Sequence, residues 1–99
     1  MNMKTITVVA HLKAKLGQES ALQQELLALI GPSRKDAGCL NYDLHQAQDN
    51  PALFMFHENW ASRAHLDEHL QKPHLKAFFA KADALLAEPA RITIWQKIG

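Results

Sequence analysis

His65-Leu66-Asp67-Glu68-His69 is the segment of this sequence with the most explicit chemical spelling. It matches H-x-x-E-H, the inverted zinc-protease signature, and imidazoles four residues apart share a helix face and can grip one ion. That chemistry also needs a third ligand on a second helix and a long substrate cleft, for which 99 residues leave little room. Leu66 and Leu70 suit a core-facing stripe with Asp67 and Glu68 in water. The motif is therefore read as a chance match, and no metal is assigned. His69 is more informative alone. Three residues after Leu66, it borders the apolar stripe and should look toward a sheet. Imidazole titrates near neutral pH, so it can act there as a general base or acid. The plainer alternative is a hydrogen-bonded core histidine.

Glu58 and Trp60 share a strand face with Phe54 and Phe56. A carboxylate on an apolar face is costly to bury unless it is paired or protonated, and its pKa should rise. A catalytic pocket would use such a group; a structural anchor at the following helix start is the equal alternative. Tyr42 and Trp60 can wall an aromatic pocket or fill core. His74, just after Pro73, can turn into the same cavity or sit in solvent. His11, His45 and His57 read as strand-edge or interface residues, and Cys39 as a small buried hydrophobe. No G-x-G-x-x-G, P-loop or G-x-S-x-G occurs, which removes nucleotide cradles and serine-hydrolase elbows.

The elements that must hold these groups follow from periodicity. Thr5 to Lys13 alternates as a strand, and Gly17 ends it. Leu22, Leu26, Leu29 and Ile30 keep helical spacing after Glu19, with Gly31-Pro32 expected to kink or break that helix. Cys39 to Gln46 reads as a second strand with Leu40, Tyr42 and Leu44 on one face. Gln48 to Pro51 spells a turn, so the next strand should form a hairpin with it. Leu53 to Phe56 is continuously apolar, as in a strand buried on both faces, and runs on to Trp60. Ser62 suits the cap of a short helix and Pro73 the first turn of a second. Pro89 precedes a last strand, Arg91 to Ile98.

The order β-α-β-β-α-β is the ferredoxin-like α+β pattern, a four-stranded antiparallel sheet with its helices on one face. The opposite face carries Leu53, Met55 and Trp95, so a homodimer packed sheet against sheet is expected. Composition agrees with one domain spanning 1–99: 47% hydrophobic residues, 21% charged, and a net charge of +1 without a basic stripe. Nucleic-acid and membrane partners have no electrostatic or apolar basis. A single cysteine rules out intramolecular disulfides, and a soluble cytoplasmic protein is the simplest reading.

Glu58-Asn59-Trp60-Ala61-Ser62, followed by Ala64-His65-Leu66, His69-Leu70 and Pro73-His74-Leu75-Lys76-Ala77-Phe78, resembles the antibiotic biosynthesis monooxygenase family, especially its small quinol monooxygenases. Gly38 to Tyr42 and the opening strand fit as well. The resemblance implies a dimeric α+β barrel and an oxygenase that needs no metal, flavin or haem. An electron-rich quinol or polycyclic phenol, once deprotonated, supplies the electrons that a cofactor would otherwise bring to dioxygen. The resemblance makes His69 the base or hydrogen-bond partner and Glu58 the orienting group. Trp60, Tyr42 and Phe79 would wall the small aromatic substrate, with His74 in a lesser binding role. Haem-degrading relatives have an iron-binding His where this chain has Phe79, which cannot ligate iron. Related isomerases of the phosphorylated signal autoinducer-2 share the P-H-x-K run, which keeps an isomerase as one alternative. A non-catalytic dimeric small-molecule-binding or stress-response module is the other. Convergence of Glu58, Trp60 and His69 on a cavity favours an enzyme; the same groups locked in core without a cavity favour a binding module.

Overall fold

Period-two alternation decides the sheet. In a computed structural model, which describes residues 5–99, β1 (Ile6–Lys13) turns Val8, Ala10 and Leu12 inward. It is followed by α1 (Glu19–Arg34), β2 (Cys39–Gln46), β3 (Leu53–Trp60), α2 (Arg63–Leu70), α3 (Pro73–Leu85) and β4 (Arg91–Trp95). The strands lie in the order β2-β3-β1-β4, and every neighbouring pair is antiparallel. This is the ferredoxin-like βαββαβ arrangement, with α2 and α3 together filling the second crossover. Leu22, Leu26 and Leu29 of α1, Leu66 of α2, and Leu75 and Phe78 of α3 close over one face of the sheet and form one core with it.

Four local expectations are corrected. Helix α1 runs unbroken through Gly31 and Pro32 to Arg34. A proline in the last turn removes only one hydrogen bond, and burial of Leu29 and Ser33 holds that turn in place. Leu40 does not share a face with Tyr42, because a register shift between Cys39 and Asn41 throws it into solvent. The apolar run of β3 is not buried on both faces of the single chain: Phe54 and Phe56 are covered, whereas Leu53 is exposed and Met55 half-buried. Strand β4 ends at Trp95, and Ile98 lies beyond it in solvent. Among the described residues, no helix is long and apolar enough to cross a membrane.

The loop between α1 and β2 carries Asp36 and Gly38. Gly38 adopts φ +81°, and a Cβ there would lie 2.3 Å from the His65 ring, so both conformation and space demand glycine. The Gly38 carbonyl accepts from the Ala61 amide at 2.8 Å, and the Asp36 carbonyl accepts from the Cys39 amide at 3.1 Å. The first bond latches the loop to the end of β3 and the second to the start of β2. Ser62 begins α2 as expected, its Oγ accepting from the His65 amide at 3.2 Å. Pro73 opens α3 in the first helical turn, where its missing N–H costs nothing.

Candidate active site

Strand pairing sets one row of the site. Glu58 lies opposite Tyr42 on β2 and Val8 on β1, and all three face the helices. Glu58 is 5% exposed and Trp60, two residues on, is fully covered. The indole Nε1–H donates to Glu58 Oε1 at 2.9 Å. Burial pushes the Glu58 carboxyl up to about 7, with the indole bond pulling it back in part. Burial and the neighbouring Glu58 charge push the Tyr42 phenol up as well, so it stays protonated at neutral pH.

Helix α2 supplies the other half. His69, 1% exposed, packs its ring on Trp60 with centroids 4.4 Å apart and presents an edge contact to Tyr42 at 5.4 Å. Its Nδ1–H donates to Asp36 Oδ2 at 2.8 Å. His74 Nε2–H, from the first turn of α3, donates to the same oxygen at 2.9 Å. A carboxylate only accepts, so the Nδ1 proton is fixed by Asp36 and the lone pair of His69 is left on Nε2. Burial holds His69 below the ordinary imidazole range, against the opposing bond and charge of Asp36. The ring is therefore neutral at pH 7 and able to accept a proton.

An apolar cavity of about 30 Å³ lies between sheet and helices, with Tyr42, Glu58, His69 and Phe79 among its walls. That space admits one or two water molecules, far less than the ~150 Å³ of an engineered cavity that takes up benzene. Phe79, Ala90 and Ile92 also border a neighbouring groove of about 530 Å³. Phe79 and Ile92, 42% and 39% exposed, stand on both the cavity and the groove.

Glu58, Trp60, Tyr42, His69 and His74 thus gather at one end of the sheet, while Phe79 stands on the cavity rim. Trp60 lies behind His69 and Glu58 rather than on the cavity wall. His74 meets Asp36 and is not among the cavity-lining residues. Asp36 is the polar member of the cluster that periodicity missed. It sits in a loop 33 residues from His69, and the only sequence signal was its closeness to Gly38. The H-x-x-E-H pair does not converge: His65 Nδ1 bonds Ser62 Oγ at 2.8 Å, whereas His69 turns to Asp36.

This fold and site define a small α+β domain that buries acid–base groups around an apolar cavity. The profile of the antibiotic biosynthesis monooxygenase family matches residues 5–81, and the chain belongs to that family. It is 36% identical over 89 residues to "Putative monooxygenase Rv0793" of Mycobacterium tuberculosis, covering 90% of this chain and 87% of that one. It is 30% identical over 84 residues to "Probable quinol monooxygenase YgiN" of Escherichia coli, covering 74% and 80%. The crystal structure of PA3566 from Pseudomonas aeruginosa superposes with a TM-score of 0.93 at 36% identity, covering both chains fully. The chain spans 62% of the length of a Synechocystis relative, an uncharacterized protein, at 34% identity.

Proposed function

We infer that the protein is a cofactor-independent monooxygenase that oxidises a quinol or polycyclic phenol with dioxygen. The observation that carries this reading is a buried His69, held by Asp36 at 2.8 Å beside an apolar cavity that Glu58 also borders. Family membership and the quinol in the name of the Escherichia coli relative support it.

His69 Nε2 removes the phenolic proton, and the phenolate passes an electron to dioxygen, bypassing the spin barrier that closed-shell organics face. Radical recombination then places a peroxide on the ring. Its collapse leaves one oxygen atom on the ring as a quinone or hydroxyquinone and releases the other as water. The substrate supplies all four electrons. Glu58, poised near neutrality, orients or reprotonates the leaving oxygen. Tyr42 and Phe79 contact the ring; Trp60 fixes the angle of His69, and His74 shares the carboxylate that orients it. An aromatic substrate exceeds the closed cavity, so its entry requires Phe79 and Ile92 to swing toward the groove. The exposed sheet face, with Trp95 and Leu53, is the contact for a second copy of the chain.

Among the described residues, none lining the cavity is Lys or Arg and the groove carries Lys15 alone, which counts against a phosphorylated substrate for the same site. Oxygen uptake with reduced menadione-like and anthrone-like compounds tests the reading. Protein-dependent uptake that persists with chelator is expected. Absence of uptake across a broad quinol panel refutes it and favours a binding module.

A further inference from the structure

The two hydrogen bonds that end on Asp36 outline a site of another kind. His69 Nδ1, His74 Nε2 and Asp36 Oδ2 all lie within 4.8 Å of one another, with N···O separations of 2.8 and 2.9 Å. Around an ion with bonds of ~2.1 Å, neighbouring ligand atoms stand ~3.0 Å apart in an octahedron and ~3.4 Å in a tetrahedron. The two imidazole–carboxylate pairs are therefore within a few tenths of an ångström of octahedral ligand spacing, and the two ring nitrogens lie within 4.8 Å of each other. We propose that Asp36, His69 and His74 form a binding site for a divalent first-row transition ion, with Zn²⁺ as the reference cation.

Chemistry, access and rigidity all fit. Two neutral imidazoles and one carboxylate suit zinc, iron(II) and their neighbours, and their net single negative charge offsets part of the ion's own. The His69 side chain is 1% exposed, Asp36 10% and His74 19%, so the site is deep on the His69 side and open on the His74 side. An ion can enter there and keep water as its remaining ligands. Trp60 packs against His69, and the Gly38 loop holds Asp36, so little ordering remains to be done on binding. Asp36, His69 and His74 are also the cluster of three metal-competent groups found among the described residues. The H-x-x-E-H spelling thus contributes one true ligand, His69, but pairs it with the wrong partner. The second imidazole comes from α3, across a proline.

Binding has a consequence for the proton-accepting role, and this part rests on the function proposed above. A cation takes the lone pair of Nδ1, so the single proton of the neutral ring moves to Nε2. His69 then has no lone pair with which to take a phenolic proton. A loaded site is a silenced base, and the ion acts as a brake rather than a cofactor.

The test uses the full chain freed of metal and titrated with Co²⁺, read by visible d–d bands, and with Zn²⁺, read by calorimetry. One equivalent per chain at micromolar affinity or tighter is expected, weakened at least tenfold in Asp36→Ala and in His74→Ala but unchanged in His65→Ala. Should either ligand variant fail to fold by circular dichroism, zinc-edge X-ray absorption of the wild type decides, with two imidazole donors expected. Absent binding, binding indifferent to Asp36 and His74, or fewer than two imidazoles overturns the site. Zn²⁺ should also suppress quinol-dependent oxygen uptake. Stoichiometric binding without suppression would keep the metal site and remove His69 as the base.

Discussion

Two tryptophans close two strands in the same way and with opposite results. Trp60 ends β3 and donates its indole N–H to Glu58, two residues back, at 2.9 Å. Trp95 ends β4 and donates to the Thr93 hydroxyl, again two residues back, at 2.8 Å. Alternation explains the shared motif, since residues i and i+2 stand on one face of a strand. The face decides the rest. Trp60 is covered by helices, and its acceptor is a carboxylate pushed up to about 7. Trp95 is 57% exposed, with a neutral hydroxyl as acceptor. The same local geometry therefore yields a buried, titratable pair on the helix side and a solvated pair on the outer side. The shift in titration follows burial, not the hydrogen bond.

Removing the imidazole packed on Trp60 gives the largest expected effect. His69→Ala should lower quinol-dependent oxygen uptake by ~10²–10⁴-fold, the usual range for a positioned general base. The wild-type rate should also fall as pH drops below the ordinary imidazole value, because protonated His69 cannot accept a proton. Turnover unchanged by His69→Ala would show that the imidazole packed on Trp60 takes no part in the chemistry.

Trp60→Ala comes next. Emptying a fully covered indole site costs ~3–5 kcal/mol of folding free energy, and denaturant unfolding should register it as a lower midpoint. The variant also leaves Glu58 without its donor and His69 without its stacking surface.

Glu58→Gln separates charge from shape. The amide oxygen can still accept from Trp60, but no charge forms. In the wild type, the folded-state value of about 7 lies above the ordinary 4.5, so the native state holds the proton longer. The resulting stability is complete below about pH 4.5 and is lost as pH rises through about 7, roughly 3 kcal/mol in all. His69 runs the other way: its lowered value contributes stability above the usual 6.5, which is lost as pH falls. Glu58→Gln should match wild type near pH 5 and exceed it near pH 8 in urea melts. Equal pH profiles for the two proteins would show that burial does not hold that proton.

The same contrast shows what a sequence carries. Strands β2 and β3 are legible to the residue, because Cys39–Gln46 and Leu53–Trp60 flank a strong turn signal. Ser62 and Pro73 mark helix starts through local chemistry that needs no partner. The helix-side placement of Glu58, Trp60 and His69 follows from spacing alone. Asp36 was invisible because its partners lie 33 and 38 residues away and only the folded Gly38 loop delivers it. Pro32 misled because the penalty for a helical proline depends on which turn holds it, and the last turn loses little. Periodicity reports which face a residue takes, whereas long-range pairing and cavity volume depend on how those faces meet.

Trp95→Ala is the smallest perturbation to the single chain and the sharpest test of the outer face. Its indole is more than half exposed, and its bond to Thr93 can be replaced by water. Folding stability should therefore change by only about 0.5 kcal/mol, as at other surface positions. Association is another matter. Trp95, Leu53 and half-buried Met55 and Val9 give this face apolar area, while Asn59 Nδ2 donates to Asn41 Oδ1 at 2.6 Å and Thr7 Oγ1 donates to Asn59 Oδ1 at 2.6 Å. That mixture suits an interface: an exposed aromatic anchor beside polar groups already satisfied within the chain. Central tryptophans at protein interfaces cost ~2 kcal/mol or more when truncated, which is at least a tenfold weaker dimer. Sedimentation at micromolar concentration should show a wild-type dimer and a shift toward monomer in Trp95→Ala, with the folding stability of the single chain changed by no more than about 0.5 kcal/mol. A wild-type monomer would mean that this face meets water and not a second copy. Outer and inner tryptophans would then differ in burial alone.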